Sequence, residues 1–342
     1  MIPLNYSKRI LCLLLVLLCI LSGCTTETYS VADGNLTVSF IDVGQGDCTF
    51  IEFPDGRTML IDTGEKEFAN TVISYIQSRD KNKIDYLISS HPHTDHMGGM
   101  QKIIETFDIG SIYMPHADAS TSIYEKLLET ILEKELFVTT VCAGDTIISE
   151  DGISAKVVAP VYEYQDLNDS SIVLRLVFGK TAFLFTGDIE NQSERDITAD
   201  ISADVVKVPH HGSSTSSSKS FVSRVGADYA VFSLGKDNIY GHPHDGIEER
   251  WASSGAEILR TDKLGNIVFV SDGENITYTT HNSIPDVTCY TWVLNTSSKK
   301  IHYPDCASVS DTKEDNKAYS SDSLSVLTAK GYTACGLCKP KE

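Results

Sequence analysis

Three imidazoles and one carboxylate stand within six residues in Ser90-His91-Pro92-His93-Thr94-Asp95-His96-Met97-Gly98-Gly99. Such groups are costly to bury unless they are paired, so a cluster of this density needs a partner other than the fold. On a loop, the i, i+2 spacing lets His91 and His93 point at one metal ion, while Asp95 and His96 turn toward a second. Imidazole and carboxylate ligands suit zinc, manganese or iron without selecting sharply among them. Two neighbouring cations lower the pKa of a shared water and offset charge developing on a phosphoryl or carbonyl oxygen, which is hydrolytic chemistry. Asp95 then serves as a ligand or, where one metal is absent, as the base that orients the water. The plain alternative is a solvent-exposed His-rich turn.

The elements around this segment must hold it still. An apolar strand pattern, Ile84–Ser90, leads into it and a helical pattern, Met97–Phe107, leads away. From residue 36 to 271 short β-rich runs such as Leu36–Asp42, Thr181–Thr186 and Val205–Val208 alternate with helical patterns such as Glu67–Arg79 and Ile247–Ser254. Strand meanders followed by helices predict an α/β sandwich, two sheets flanked by helices. Residues 276–288 are polar, include Pro285, and read as a linker.

His-x-His-x-Asp-His after a strand resembles the signature of the metallo-β-lactamase superfamily, and further matches follow in order. Asp62 in Leu60-Ile61-Asp62-Thr63-Gly64 resembles an Asp that supports the metal loops, Asp188 in Thr186-Gly187-Asp188 the Asp that bridges two metals, and His242 in Tyr240-Gly241-His242-Pro243 the last His ligand. More narrowly, Asp42-Val43-Gly44-Gln45-Gly46-Asp47, Val208-Pro209-His210-His211-Gly212-Ser213 and Tyr240-Gly241-His242-Pro243 are similar to the hydrolase domain of the ComEC family of DNA-uptake proteins. The resemblance runs over about residues 36–271 and implies a metallo-β-lactamase-type αββα sandwich across 36–275. It further implies two divalent metals (zinc or manganese) held by His91, His93, Asp95, His96, Asp188 and His242, and DNA or another phosphodiester as substrate.

Most two-metal members place a His where this chain has Leu167-Asn168-Asp169, whereas ComEC-like domains tend to carry Asn there. An amide oxygen at Asn168 is a weaker ligand, which leaves the first metal loosely held. His210 and His211 then either supply a missing ligand or act in catalysis as an acid near the leaving group. Asp47 either approaches the same centre or caps its glycine-flanked turn.

The chain carries a second thiol and imidazole cluster. His302-Tyr303-Pro304-Asp305-Cys306 is followed by Cys335-Gly336-Leu337-Cys338, and His302, Cys306, Cys335 and Cys338 have the spacing of a closed tetrahedral zinc site. Disulfides involving Cys289 are the alternative in an exported protein. Residues 289–342 also resemble the zinc-binding domain of the Ada DNA-repair family, with His302 in place of a Cys. The resemblance therefore implies a small structural zinc domain and not methyl transfer. Lys299, Lys300 and Tyr303 offer a backbone contact and a stacking ring to nucleic acid. Cys48 and Cys142, in apolar surroundings, read as buried small hydrophobes.

Lys8 and Arg9 precede the apolar run Ile10–Leu21, which is a secretory signal in length and charge. It ends in Leu21-Ser22-Gly23-Cys24, which resembles a bacterial lipobox. This implies a signal peptide over 1–24, lipid on Cys24, a tether over 25–35, and a protein anchored at the outer face of the cell membrane.

The 342 residues carry a net charge of −19, with 41% hydrophobic and 22% charged positions, an ordinary globular composition. The acidity is local: residues 25–288 hold 19 basic and 41 acidic side chains, whereas 289–342 hold seven Lys and six acidic residues. A broad basic face for nucleic acid is thereby excluded from the body. The readings that remain are a metal-dependent nuclease or phosphodiesterase, with DNA-uptake machinery as the partner that the resemblance implies; a hydrolase of a lactam or thioester; and a non-catalytic, metal-scaffolded DNA-binding surface protein.

Overall fold

A computed structural model describes residues 34–117, 119–150, 152–280, 292–303, 306–310, 312–313, 316–320 and 324–340. The signal, Cys24, most of the tether, residues 281–288 and Cys289 lie outside the described residues.

The first sheet is built from β1 (Leu36–Phe40), β2 (Thr49–Glu52), β3 (Thr58–Ile61), β4 (Lys83–Ile88), β5 (Asp108–Met114) and β6 (Val138–Thr140). The second sheet takes β7 (Thr146–Glu150), β8 (Ile153–Ala159), β9 (Val173–Phe178), β10 (Thr181–Phe185), β11 (Val205–Lys207), β12 (Tyr229–Phe232) and β13 (Glu257–Arg260). The chain then returns to the first sheet with β14 (Ile267–Ser271) and β15 (Ile276–Thr280), giving the orders β15-β14-β1-β2-β3-β4-β5-β6 and β13-β12-β11-β10-β9-β8-β7.

Strand side chains alternate between faces, and the sequence uses both. In β1 and β2, Leu36, Val38, Phe40 and Ile51 enter a core shared with Phe183 and Phe185 of β10, while Phe50 of β2 faces the other way. That shared core lies between the sheets. Phe50 and Leu60 instead meet Val72 and Ile76 of the helix Ala69–Ser78, and Met100 and Ile103 of the helix Met100–Thr106. Ala182 and Leu184 of β10 meet Phe221 of the helix Lys219–Val225 and Trp251 of the helix Ile247–Ser253. The result is the expected αββα sandwich.

Two details differ from the sequence reading. Ile276–Thr280, read as the start of a linker, pairs antiparallel with β14 along its whole length. Its threonines conceal a period-two pattern in which Ile276 and Tyr278 pack on the inter-sheet core. Met97–Phe107 is not one helix: Thr94–Met97 and Met100–Thr106 are separated at Gly98-Gly99.

Strands β3 to β6 run parallel, as do β10 to β13. Loops leaving the carboxyl ends of these strands carry Asp62, His91–His96, Asp188, His210–His211 and His242. Open α/β sheets place ligands at such strand ends.

Residues 292–334 contribute a separate four-stranded sheet made from Trp292–Asn295, Lys300–His302, Lys317–Ser320 and Thr333–Ala334. Its apolar cluster is small: Trp292, Leu294, Ile301 and Leu327 are its buried members.

Candidate metal centre

One ligand atom from each of Asp95, His96, Asp188 and His211 lies within 4.8 Å of the others. His96 Nε2 is 3.2 Å from Asp188 Oδ2 and 3.8 Å from Asp95 Oδ2; His211 Nε2 is 3.2 Å and 3.4 Å from the same oxygens. Each ring is oriented from behind. His96 Nδ1 faces Asp62 Oδ2 at 2.9 Å, and Asp62 also accepts from the Ser90 amide and hydroxyl at 2.7 and 2.6 Å. His211 Nδ1 sits 2.8 Å from the Ser233 carbonyl. A proton on Nδ1 of both rings leaves each Nε2 with its lone pair directed at the two carboxylates, the arrangement that outer-shell partners impose on metal-ligating histidines.

The residues fit a cation on their own evidence. His96 Nε2 and His211 Nε2 are buried and have no hydrogen-bond partner among the described residues. Burial opposes charge on both imidazoles, but the Asp188 and Asp95 carboxylates around His96, and Asp188 and Asp47 around His211, hold both well above the ordinary histidine range. Asp188 is held well below the usual carboxylate range against its burial by His211, His96 and Lys207. The carboxylates therefore demand positive charge. Protons meet that demand in the metal-free protein, and metal binding releases them.

His91 and His93 form the adjoining part of the centre. His91 Nε2 and His93 Nδ1 are 3.0 Å apart, and the His91 and His96 rings lie 4.1 Å apart. Burial, followed by the neighbouring His96, pushes His91 well below its ordinary pKa. Asn168 presents a buried Oδ1 without a partner among the described residues, while its Nδ2 donates to Glu190 at 3.4 Å.

The structure separates the histidines that spacing left ambiguous. His211 joins the ligand group. His210 stays on the open side, with Nδ1 at 3.2 Å from both Glu190 Oε1 and Thr215 Oγ1 and Nε2 at 3.8 Å from Asp188 Oδ2. The two rings diverge because both residues adopt left-handed backbone, φ 50° and 53°, which costs a non-glycine residue roughly 1–2 kcal/mol. His242 stands outside the group of four. Its ring stacks on Tyr240 at 5.7 Å and on His211 at 6.1 Å, at the mouth of the cleft. Burial and the neighbouring His211, His210 and His244 push its pKa down to about 4.

Asp47 approaches the centre from behind, with Oδ2 at 3.8 Å from His96 Nδ1, and does not cap its turn, a role that Asp42 Oδ1 fills by accepting from the Gly44 amide. Asp47 is buried behind the ligands, 2.6 Å from Lys207 Nζ and 3.3 Å from His211 Nδ1. Lys207 was not legible as a site residue, although a lone charge in the apolar strand Val205-Val206-Lys207-Val208 is a signal, since buried lysines occur when paired. Its Nζ also donates to the Gly187 carbonyl at 2.9 Å and to Asp188 Oδ1 at 3.3 Å. Lys207 thus occupies one oxygen of Asp188 and leaves Oδ2 for the ligand group.

Lys207→Met should destabilise the metal-free protein by about 3–5 kcal/mol, because it leaves two buried carboxylates without their cation; urea unfolding checks this. The carboxylates of Asp47 and Asp188 are depressed on folding, so this contribution is present above their unfolded value of about 3.9 and fades as pH falls through the folded values. Lys207 is raised against its burial by Asp47 and Asp188, so its share holds below about 10.4 and is lost as pH rises beyond.

In the C-terminal sheet, one ligand atom from each of His302, Cys306, Cys335 and Cys338 lies within 4.8 Å of the others. Cys306, Cys335 and Cys338 are free thiols, and both ring nitrogens of buried His302 lack a partner among the described residues. This donor set suits tetrahedral zinc. Tyr303 packs on Trp292 at 5.4 Å, and Lys299 Nζ lies 4.6 Å from the Tyr332 ring centre. Cys48 is buried as expected, whereas Cys142 is exposed in the loop between β6 and β7.

The model of the metallo-β-lactamase superfamily matches residues 41–236. The chain belongs to that superfamily. Among curated superfamily relatives, ComE operon protein 3 of Bacillus subtilis (strain 168) is 30% identical over 253 residues, covering 68% of this chain and 32% of that protein. Competence protein ComA of Neisseria gonorrhoeae is 29% identical over 246 residues, covering 70% of this chain and 33% of that protein. Recombination protein 2 of Haemophilus influenzae is 29% identical over 221 residues, covering 62% and 26%. The chain spans about a third or less of the length of these relatives. Within the superfamily its body is similar to these ComEC-like competence proteins, and by fold and site it is a metal-dependent hydrolase.

Proposed function

We propose that this hydrolase cleaves phosphodiesters, with DNA as its substrate, at the outer face of the cell membrane. The observation that carries the reading is the convergence of Asp95, His96, Asp188 and His211 within 4.8 Å at the strand ends of a ComEC-like body. Relatives named for competence and recombination support DNA over a lactam or thioester. The lipobox-like Cys24 supports a lipid anchor, and with it a place beside DNA-uptake machinery. Among the described residues no helix is long and apolar enough to cross a membrane.

In this reading His91 and His93, with Asn168 as a weak third donor, would hold one divalent zinc or manganese ion, and Asp95, His96, Asp188 and His211 would hold a second. When bound, such ions supply Lewis-acid polarisation of a phosphoryl oxygen and a lowered pKa for water. The chain's own groups do the rest. Asp62 and the Ser233 carbonyl hold protons on His96 Nδ1 and His211 Nδ1, so the opposite nitrogens remain ligands. Glu190 holds a proton on His210 Nδ1, which leaves His210 Nε2 to take a proton from the attacking water and return it to the leaving oxygen. Asp95 serves as ligand and orients that water. His302, Cys306, Cys335 and Cys338 would hold a structural zinc ion, and Lys299 and Lys300 of the same C-terminal sheet give DNA a local cationic contact that the acidic body lacks.

The test is a substrate panel on protein lacking residues 1–24, loaded with manganese or zinc: single- and double-stranded DNA, RNA, bis(p-nitrophenyl) phosphate and a β-lactam. Cleavage of DNA, lost in a folded His96→Ala variant, is the expected result. Turnover of the lactam alone would overturn the reading.

A further inference from the structure

Gln45 projects from Gly44-Gln45-Gly46-Asp47 into the mouth of the cleft, among Asp95, Asp188, His211 and Tyr240. Its carboxamide orientation is set by one bond: Oε1 accepts from the Gly235 amide at 3.3 Å. This puts the NH2 end opposite the Gly235 contact, in a residue that lines the cleft. Nε2 is buried and has no hydrogen-bond partner among the described residues. A buried donor without a partner is uncommon and calls for an explanation.

The backbone holds the side chain where it is. Gly46 has φ 137°, and a Cβ there would lie 2.2 Å from the Asp95 carbonyl oxygen; the next amide, that of Asp47, donates to the same oxygen at 3.1 Å. A Cβ on Gly235 would come within 2.6 Å of the Gln45 amide nitrogen. Gln45 is therefore clamped against the loop that carries Asp95 and against the strand end that binds its own oxygen. The cleft walls are carboxylates and imidazoles directed inward, and the Lys207 ammonium is committed to Asp47, Asp188 and Gly187. A neutral amide adds a donor without adding charge to the ligand set.

We propose that Gln45 is a catalytic residue whose Nε2 donates a hydrogen bond to a non-bridging oxygen of the scissile phosphoryl group. The bond strengthens as negative charge gathers on that oxygen in the transition state. This inference rests on the phosphodiester reading above and identifies the part of the substrate that the amide meets.

Two variants separate the donor from the fold. Gln45→Glu keeps an acceptor for Gly235 and removes the donor; Gln45→Met removes both. With the manganese-loaded protein and bis(p-nitrophenyl) phosphate, kcat is expected to fall about 10²–10³-fold in both variants while KM shifts by less than about threefold. Metal per mole and Tm should stay at the parent values. A kcat within about threefold of the parent, or a fall that tracks lost metal or lost Tm, would overturn the assignment. If the parent itself fails to turn over this diester, the phosphodiester reading falls separately. Titration of inorganic phosphate into the same proteins then decides for Gln45: binding about tenfold weaker in Gln45→Met supports it, and unchanged binding rejects it.

Discussion

Replacing His211 with alanine should strip bound metal from the protein, while replacing His242 should not. Nothing in the spacing of the sequence distinguishes the two, and resemblance alone assigns His242 as the ligand. The geometry separates them. His211 Nε2 lies 3.2 and 3.4 Å from Asp188 and Asp95 oxygens, without another partner among the described residues, and its Nδ1 is tied to the Ser233 carbonyl. His242 is one ring further out, stacked at 6.1 Å on His211. Changes to residues that merely orient a ligand cost about 10–100-fold in metal affinity, so loss of His211 itself should exceed about 100-fold. Hydrolysis should fall with it. His242→Ala should keep the parent's metal content after dialysis, as read by elemental analysis, and change substrate handling at the mouth. Metal lost from His242→Ala and retained by His211→Ala would reverse the assignment.

The second large effect is expected in the C-terminal sheet. Among the described residues its apolar cluster buries only Trp292, Leu294, Ile301 and Leu327, with Val293 buried beside it, too few to offset the entropy of ordering some forty residues at roughly 1–2 kcal/mol each. Structural zinc contributes about 10–16 kcal/mol to comparable small sites at neutral pH. Cys335→Ser/Cys338→Ser should therefore remove one zinc per chain and unfold this sheet, with amide hydrogen exchange accelerated over 292–340 and unchanged in the sandwich. The cause is specific: two of four converging ligands are gone, and against burial the Cys338 and Leu337 amides lower the pKa of the Cys335 thiol. Unchanged zinc content, with thiols that fail to react before reduction, would mean disulfides.

Much of the centre could be read before the structure because it is local in sequence. His91, His93, Asp95 and His96 share one loop, and a loop between a strand and a helix admits few arrangements. Asp62 and Asp188 were singled out by resemblance alone; in the structure Asp62 lies behind His96, and Asp188 faces His96 Nε2 and His211 Nε2. What escaped depends on backbone conformation and on distant pairing. Consecutive left-handed residues send His210 to Glu190 and His211 to Asp188, which no spacing rule foresees. Lys207 pairs with Asp47, 160 positions away in the loop between β1 and β2, as well as with Asp188. The sandwich itself was legible from alternating strands. Ile276–Thr280 was not, because an edge strand of alternating threonines has the composition of a linker.

The acidic body also changes meaning. Asp47, Asp62, Asp95 and Asp188 concentrate negative charge around a few side-chain nitrogens, so part of the acidity belongs to metal binding and not to repulsion of substrate.

The most direct measurement is anomalous scattering from crystals grown with manganese or zinc. A peak coordinated by Asp95, His96, Asp188 and His211 is the predicted result. No metal among these four side chains, or one that takes His242 in place of His211, would contradict it.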